Sequence, residues 1–91
     1  MFDIFCMQIT DDPANLPAHT QYTRYNGTHL DTIRRCVNRA QTEYVWIVCD
    51  LCNYDNFDFT WQPVPWEADQ IHIWPSQHQE HSGTMLVPKL S

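Results

Sequence analysis

Apolar positions along this chain recur with two different periods, and each period predicts an element. From Phe2 to Ile9 both alternating sides are largely apolar, with Phe2, Ile4, Cys6 and Gln8 on one and Phe5, Met7 and Ile9 on the other. A strand that is apolar on both sides belongs inside a sheet, so a first strand is expected over about 2–9. The next stretch holds Asp11, Asp12, Pro13, Asn15 and Pro17 and reads as a loop. A second strand is expected over about 21–26, where Tyr22 and Tyr25 supply β propensity and Asn26-Gly27 supplies the turn that ends it.

The period then changes. Leu30, Ile33, Val37 and Ala40 recur at helical spacing with Cys36 beside them, while Arg34, Arg35, Asn38, Arg39 and Gln41 cover the other face. This predicts a helix over about 29–42. Thr28 has the features of its N-cap, with Asp31 three residues on as a reduced capping box, and arginines toward its end suit the helix dipole. Tyr44 to Cys49 is a continuous apolar run and predicts the central strand, about 44–49. A helix between two such strands is a βαβ unit, with parallel strands and a right-handed crossover.

Residues 53–69 read as a long ordered loop, broken by Pro63 and Pro65 and pinned by Phe57, Phe59, Trp61 and Trp66. Gln70 to Trp74 alternates cleanly and predicts a strand over about 70–74. Ser76 to Ser82 is polar and reads as a turn, and a last strand is expected over about 84–88, where Pro88 marks a sheet edge or a strand end. These last two strands are expected to pair as an antiparallel hairpin. The fold class is therefore α/β, a small mixed sheet with a βαβ core, in one domain spanning 1–91.

Size and charge narrow the function classes. A chain of 91 residues buries only about 60–65% of its unfolded surface, and four tryptophans, Trp46, Trp61, Trp66 and Trp74, are one means of enlarging so small a core. Eleven acidic residues outnumber five Lys and Arg, giving a formal charge of −6. Three of the five cations lie in the one helix, so no basic face is expected for nucleic acid or for anionic lipid. No apolar stretch is long enough to span a bilayer, and the N-terminus lacks a charged leader and a small-residue cleavage site. The expectation is a cytoplasmic protein with free thiols, among which Cys6, Cys36 and Cys49 fall at buried-looking positions.

The order of elements and the residues from His29 to Asp58, in particular Tyr44-Val-Trp-Ile-Val-Cys-Asp50 followed by Asn56-Phe-Asp-Phe59, together with Ile71-His-Ile-Trp74, resemble a group of small bacteriophage proteins similar to the nucleotide-sugar-binding half of GT-A glycosyltransferases. The resemblance implies a truncated GT-A or Rossmann-like fold, acting in the host cytoplasm, with a nucleotide-sugar as ligand and Mn or Mg as cofactor. In that family the central strand ends in Asp-x-Asp, which holds the metal. Here Asp50 matches the first aspartate and Cys52 stands at the second, a poor ligand for a hard cation. Asn53 and Asp55 are the nearby oxygen donors, so the implied ligand-binding set is Asp50, Asn53, Asp55 and Trp74, with Asp50 and Asp55 on the metal. No acceptor-binding half is evident, so the resemblance bears on fold and binding before transfer.

Each constellation has a plainer reading. Asp50, Asn53, Asp55 and Asp58 are either a site at a strand end or Asx residues that cap a loop. Trp61, Trp66 and Trp74 with Tyr54 are either a stacking face or part of a small core or interface. Cys49, Cys52, His78 and His81 have a two-Cys, two-His composition, but His-x-x-His is one residue tighter than zinc sites use. His72 reads as a half-exposed strand histidine. The alternative to a ligand-binding domain is a non-catalytic interaction module, with a homodimer as one form of it, suggested by thin self-burial, an exposed-looking edge near Thr84–Pro88 and the Trp- and Phe-rich loop.

Overall fold

Two apolar-sided strands need cover on both faces, and that requirement organises the fold. The structure is a computed structural model that describes residues 1–8, 16–24, 29–49, 54, 57–74 and 84–89. Its elements are β1 (Asp3–Gln8), β2 (Gln21–Arg24), α1 (His29–Arg39), β3 (Tyr44–Cys49), a single 3-10 turn at Pro65–Glu67, β4 (His72–Trp74) and β5 (Thr84–Pro88). The five strands form one mixed sheet in the order β2-β1-β3-β5-β4.

β1 is parallel to both of its neighbours, with Cys6 opposite Tyr22 and opposite Val48. The expected βαβ unit is present, but β2 and β3 are not adjacent: α1 carries the chain over β1, which lies between them. β5 runs antiparallel to β3, with Ile47 opposite Met85. The expected hairpin of β4 and β5 forms with Ile73 opposite Met85.

The register sorts side chains onto two faces. On one face Phe5, Met7, Val45, Ile47, Met85 and Val87 pack with Cys36 and Ala40 of α1, flanked by Ile33 and Val37. On the other, Ile4, Cys6, Trp46, Val48 and Leu86 pack under Tyr54 and Phe59, with Phe2, Leu16, Phe57, Trp61 and Trp74 partly buried against them. The helix is one cover, and the ring-rich connection from β3 to β4 is the other. Each fully buried Ile, Val or Phe among these is worth about 1.5–3 kcal/mol relative to exposure.

Three expectations are corrected. First, Leu30 does not join the buried stripe; it is exposed, and Thr32 is fully buried instead. At 3.6 residues per turn Cys36 and Ala40 point straight at the sheet, with Thr32 on one flank and Ile33 and Val37 on the other. Leu30 falls beyond Val37, at the margin. Second, Thr84–Pro88 is not an exposed edge. It is buried along its length between β3 and β4, and Pro88 marks the strand end, where it lies opposite Tyr44. The edges are β2 and β4. Third, the helix stops at Arg39 rather than near 42, and β4 begins at His72 rather than 70. The expected Thr28 cap, the Asn26-Gly27 turn and the Ser76–Ser82 turn lie outside the described residues.

Polar contacts fasten the end of the sheet where β1 and β3 begin. Asp3 Oδ2 accepts the Gln41 N–H at 2.7 Å, and Thr42 Oγ1 accepts the Asp3 N–H at 2.9 Å while donating to the Tyr44 carbonyl at 2.5 Å. The Lys89 ammonium donates to the Ala40 carbonyl at the end of α1, and the Lys89 N–H donates to the Glu43 carbonyl at 2.7 Å. Among the described residues no helix is long and apolar enough to cross a membrane.

Candidate functional site

At the opposite end of the sheet the three parallel strands stop together, at Gln8, Arg24 and Cys49. Ligands of open α/β sheets collect at this kind of end, outside the carboxyl ends of the strands. Connections from β1 and β3 also leave it in opposite directions, one to β2 and the other toward β5 and β4.

Asp50 follows the last residue of β3 directly in sequence. Asp50, Asn53 and Asp55 lie outside the described residues, as do Cys52, His78 and His81 of the zinc-like set. Cys49 is fully buried and, opposite Met7, belongs to the helix-covered face. Cys6, Cys36 and Cys49 are all buried. Burial pushes the Cys36 thiol above its ordinary value, with Arg35 and Arg39 pulling weakly the other way. Among the described residues no three His, Cys, Asp or Glu side chains form a group that could hold a metal ion.

Around the strand end the structure describes a wall. The β3–β5 ladder runs as far as Ile47 opposite Met85. Beyond that pair the Tyr54 hydroxyl accepts the Cys49 N–H at 3.1 Å and lies 2.6 Å from Thr84 Oγ1. A phenol thus bridges the two strands where their backbones cease to pair. Tyr54 is buried, so of its two readings, stacking face or small core, it takes the core. Its place five residues beyond the strand, in a run of rings, was the available signal for a ring folding back on the sheet.

Trp74 lies opposite Thr84, at this same end. Its ring is half-buried. Three rings pack against it, with centroids of Trp46, Phe57 and Trp61 at 5.2, 5.8 and 5.1 Å. Trp46 is itself fully buried and donates its indole N–H to the Phe59 carbonyl at 3.1 Å. The edge-on and tilted geometry is the one aromatic quadrupoles favour. Trp61 continues the group to His72, whose ring centroid is 5.1 Å away and whose Nε2 lies 3.1 Å from the Glu67 carbonyl. His72 is therefore the half-exposed strand histidine that the alternation implies. Trp66 joins no core cluster and is 78% exposed.

Asp58 takes the plainer of its two readings. Its Oδ1 accepts both the N–H and the hydroxyl of Thr60, at 2.9 and 2.5 Å, and these bonds hold its carboxyl below the usual carboxylate value. It caps a turn in solvent.

Comparison with protein-family models, with curated proteins and with solved structures finds no match to this chain.

Proposed function

We propose that this chain is a ligand-binding α/β domain of GT-A type, taking a nucleotide-sugar or a closely related phosphorylated ligand at the carboxyl end of β3. The observation that carries this reading is Trp74: a half-buried ring, braced by Trp46, Phe57 and Trp61, at the end of the sheet where Asp50 follows β3. A rigid aromatic face next to a polar chain segment is what sugar and base stacking requires, and a braced ring loses little entropy on binding. Asp50 is then the main polar anchor, with Asn53 and Asp55 beside it. Asp50 and Asp55 offer the hard carboxylate oxygens that Mg or Mn prefers. Such an ion would neutralise the ligand's diphosphate. On this reading the domain works in the cytoplasm, and binding rather than transfer is its activity.

Calorimetric titration of the full chain with uridine diphosphate sugars, with and without Mn, tests the reading. Saturable heat that is lost in both Asp50→Ala and Trp74→Ala supports it. An absence of heat with every nucleotide-sugar, or heat unchanged in both variants, contradicts it.

A further inference from the structure

The two edges of the sheet are built differently. At the β2 edge, Gln21 and Thr23 share the helix-side face, opposite Phe5 and Met7, and Arg24 ends the strand. Polar and charged residues of this kind keep an edge from pairing with a stranger. At the β4 edge, Ile71 and Ile73 are each 57% exposed. Ile73 lies opposite Met85 and so belongs to the helix-side face, as does Ile71 by alternation. Strand spacing of about 4.8 Å makes a five-stranded sheet about twice as wide as one helix, so α1 over the centre leaves this corner open. From Gln70 to Trp74 the chain holds no Asp, Glu, Lys or Arg. The edge thus has apolar side chains, unpaired backbone on its outer side among the described residues, and no charged side chain along it.

We infer that two copies of this chain pair antiparallel along β4, about a two-fold axis through His72. The register itself argues for a second copy as the occupant. With the axis at His72, Ile71 of one copy lies opposite the partner's Ile73, and Ile73 opposite the partner's Ile71, so both apolar positions are matched by the same strand read backwards. Pro75, which has no N–H to donate, falls outside the paired stretch. An axis at Ile73 would instead set Ile71 against the partner's Pro75. Each chain carries a charge of −6, so two copies repel at long range and can meet only along a charge-free line, which Gln70–Trp74 supplies. The two sheets become one ten-stranded layer, and four isoleucines fill the gap between two α1 helices. A contact along so short a strand falls below the roughly 1,600 Å² of a standard interface, so the association is a weak one. Screening of the net charge makes it tighter at high salt.

Sedimentation equilibrium of the full chain, from about 10 µM to about 1 mM, decides the matter. The expected result is a mass that rises from one chain toward two with concentration, and more steeply at about 0.5 M salt. Ile73→Lys and Ile71→Lys each weaken association by about tenfold or more, since a lysine on an edge strand blocks pairing. Tyr22→Lys on the opposite edge leaves association unchanged. Both isoleucines are more than half exposed, so the lysine variants keep their circular dichroism, and either one suffices should the other not fold. A mass of one chain at the highest concentration overturns the inference. So does association that survives both lysine variants, or that disappears in Tyr22→Lys.

Discussion

The Tyr54 hydroxyl lies 2.6 Å from Thr84 Oγ1, and both residues are buried. The same oxygen accepts the Cys49 N–H. One phenol therefore ties the ends of β3 and β5 together at the point where their ladder stops. Removing it strands polar groups inside a thin core, which costs more than the bond itself contributes. Tyr54→Phe should lower unfolding free energy by about 1–3 kcal/mol in urea, with an unchanged denaturant slope. In a double-mutant cycle with Thr84→Val, a coupling above about 0.5 kcal/mol is expected; additive effects would mean that the pair does not interact.

Lys89 closes the other end of the sheet. Its ammonium donates to the Ala40 carbonyl, one of the orphan acceptors at the end of α1, and it brings a positive charge to the negative pole of the helix. Lys89→Met keeps most of the apolar stem and should cost about 0.5–1 kcal/mol by thermal or urea unfolding. An equally stable variant would assign the lysine no capping role.

Cys36 should make the protein less stable in alkali. Burial raises its folded value above the ordinary 9.0, so the unfolded chain gives up this proton first. Its contribution is complete below 9.0 and is lost as pH climbs from there through the folded value. Urea midpoints measured upward from neutral pH should hold until that range and then fall, and Cys36→Ala should fall less. The native thiol should also react with maleimide far more slowly than the unfolded one.

Asp58 titrates in the opposite sense. Its two bonds from Thr60 favour the carboxylate, so its midpoint should lie below the ordinary 3.8. The stability linked to it is present above 3.8 and is lost as pH falls through the folded value. Carbon-detected NMR of the carboxyl can follow this directly. Thr60→Val, which removes the hydroxyl but keeps the N–H, should bring the midpoint part of the way back; no change would mean that the hydroxyl bond does not form in solution.

Much of this arrangement is legible in the chain before any coordinates. Alternation and apolar runs predict four of the five strands, because a strand's side-chain period of two is rigid; β2 is legible from the β propensity of its tyrosine and the Asn26-Gly27 that follows. The helix is equally plain, yet Leu30 fell on the wrong side of the line between core and solvent. A helical pattern identifies a face but not how wide a stripe the opposing sheet can accept. Pro88 is compatible with a sheet edge or a strand end, and the structure shows the strand end; the expected exposed edge near Thr84–Pro88 is instead a strand buried in the middle of the sheet. The Tyr54–Thr84 contact spans 30 residues of chain, and the bracing of Trp74 reaches back to Trp46, Phe57 and Trp61; no local pattern encodes either. Asp50, the first residue past β3, was reached from its position in the pattern alone.

The most direct measurement is a two-dimensional NMR titration that follows the four tryptophan indole N–H signals while a uridine diphosphate sugar and Mg are added to on the order of millimolar concentration. The account predicts a saturable shift of the Trp74 signal, little change at the exposed Trp66, and loss of the Trp74 shift in Asp50→Asn. If the Trp74 signal stays fixed throughout, or if Trp66 alone responds, the end of β3 is not a nucleotide-sugar site.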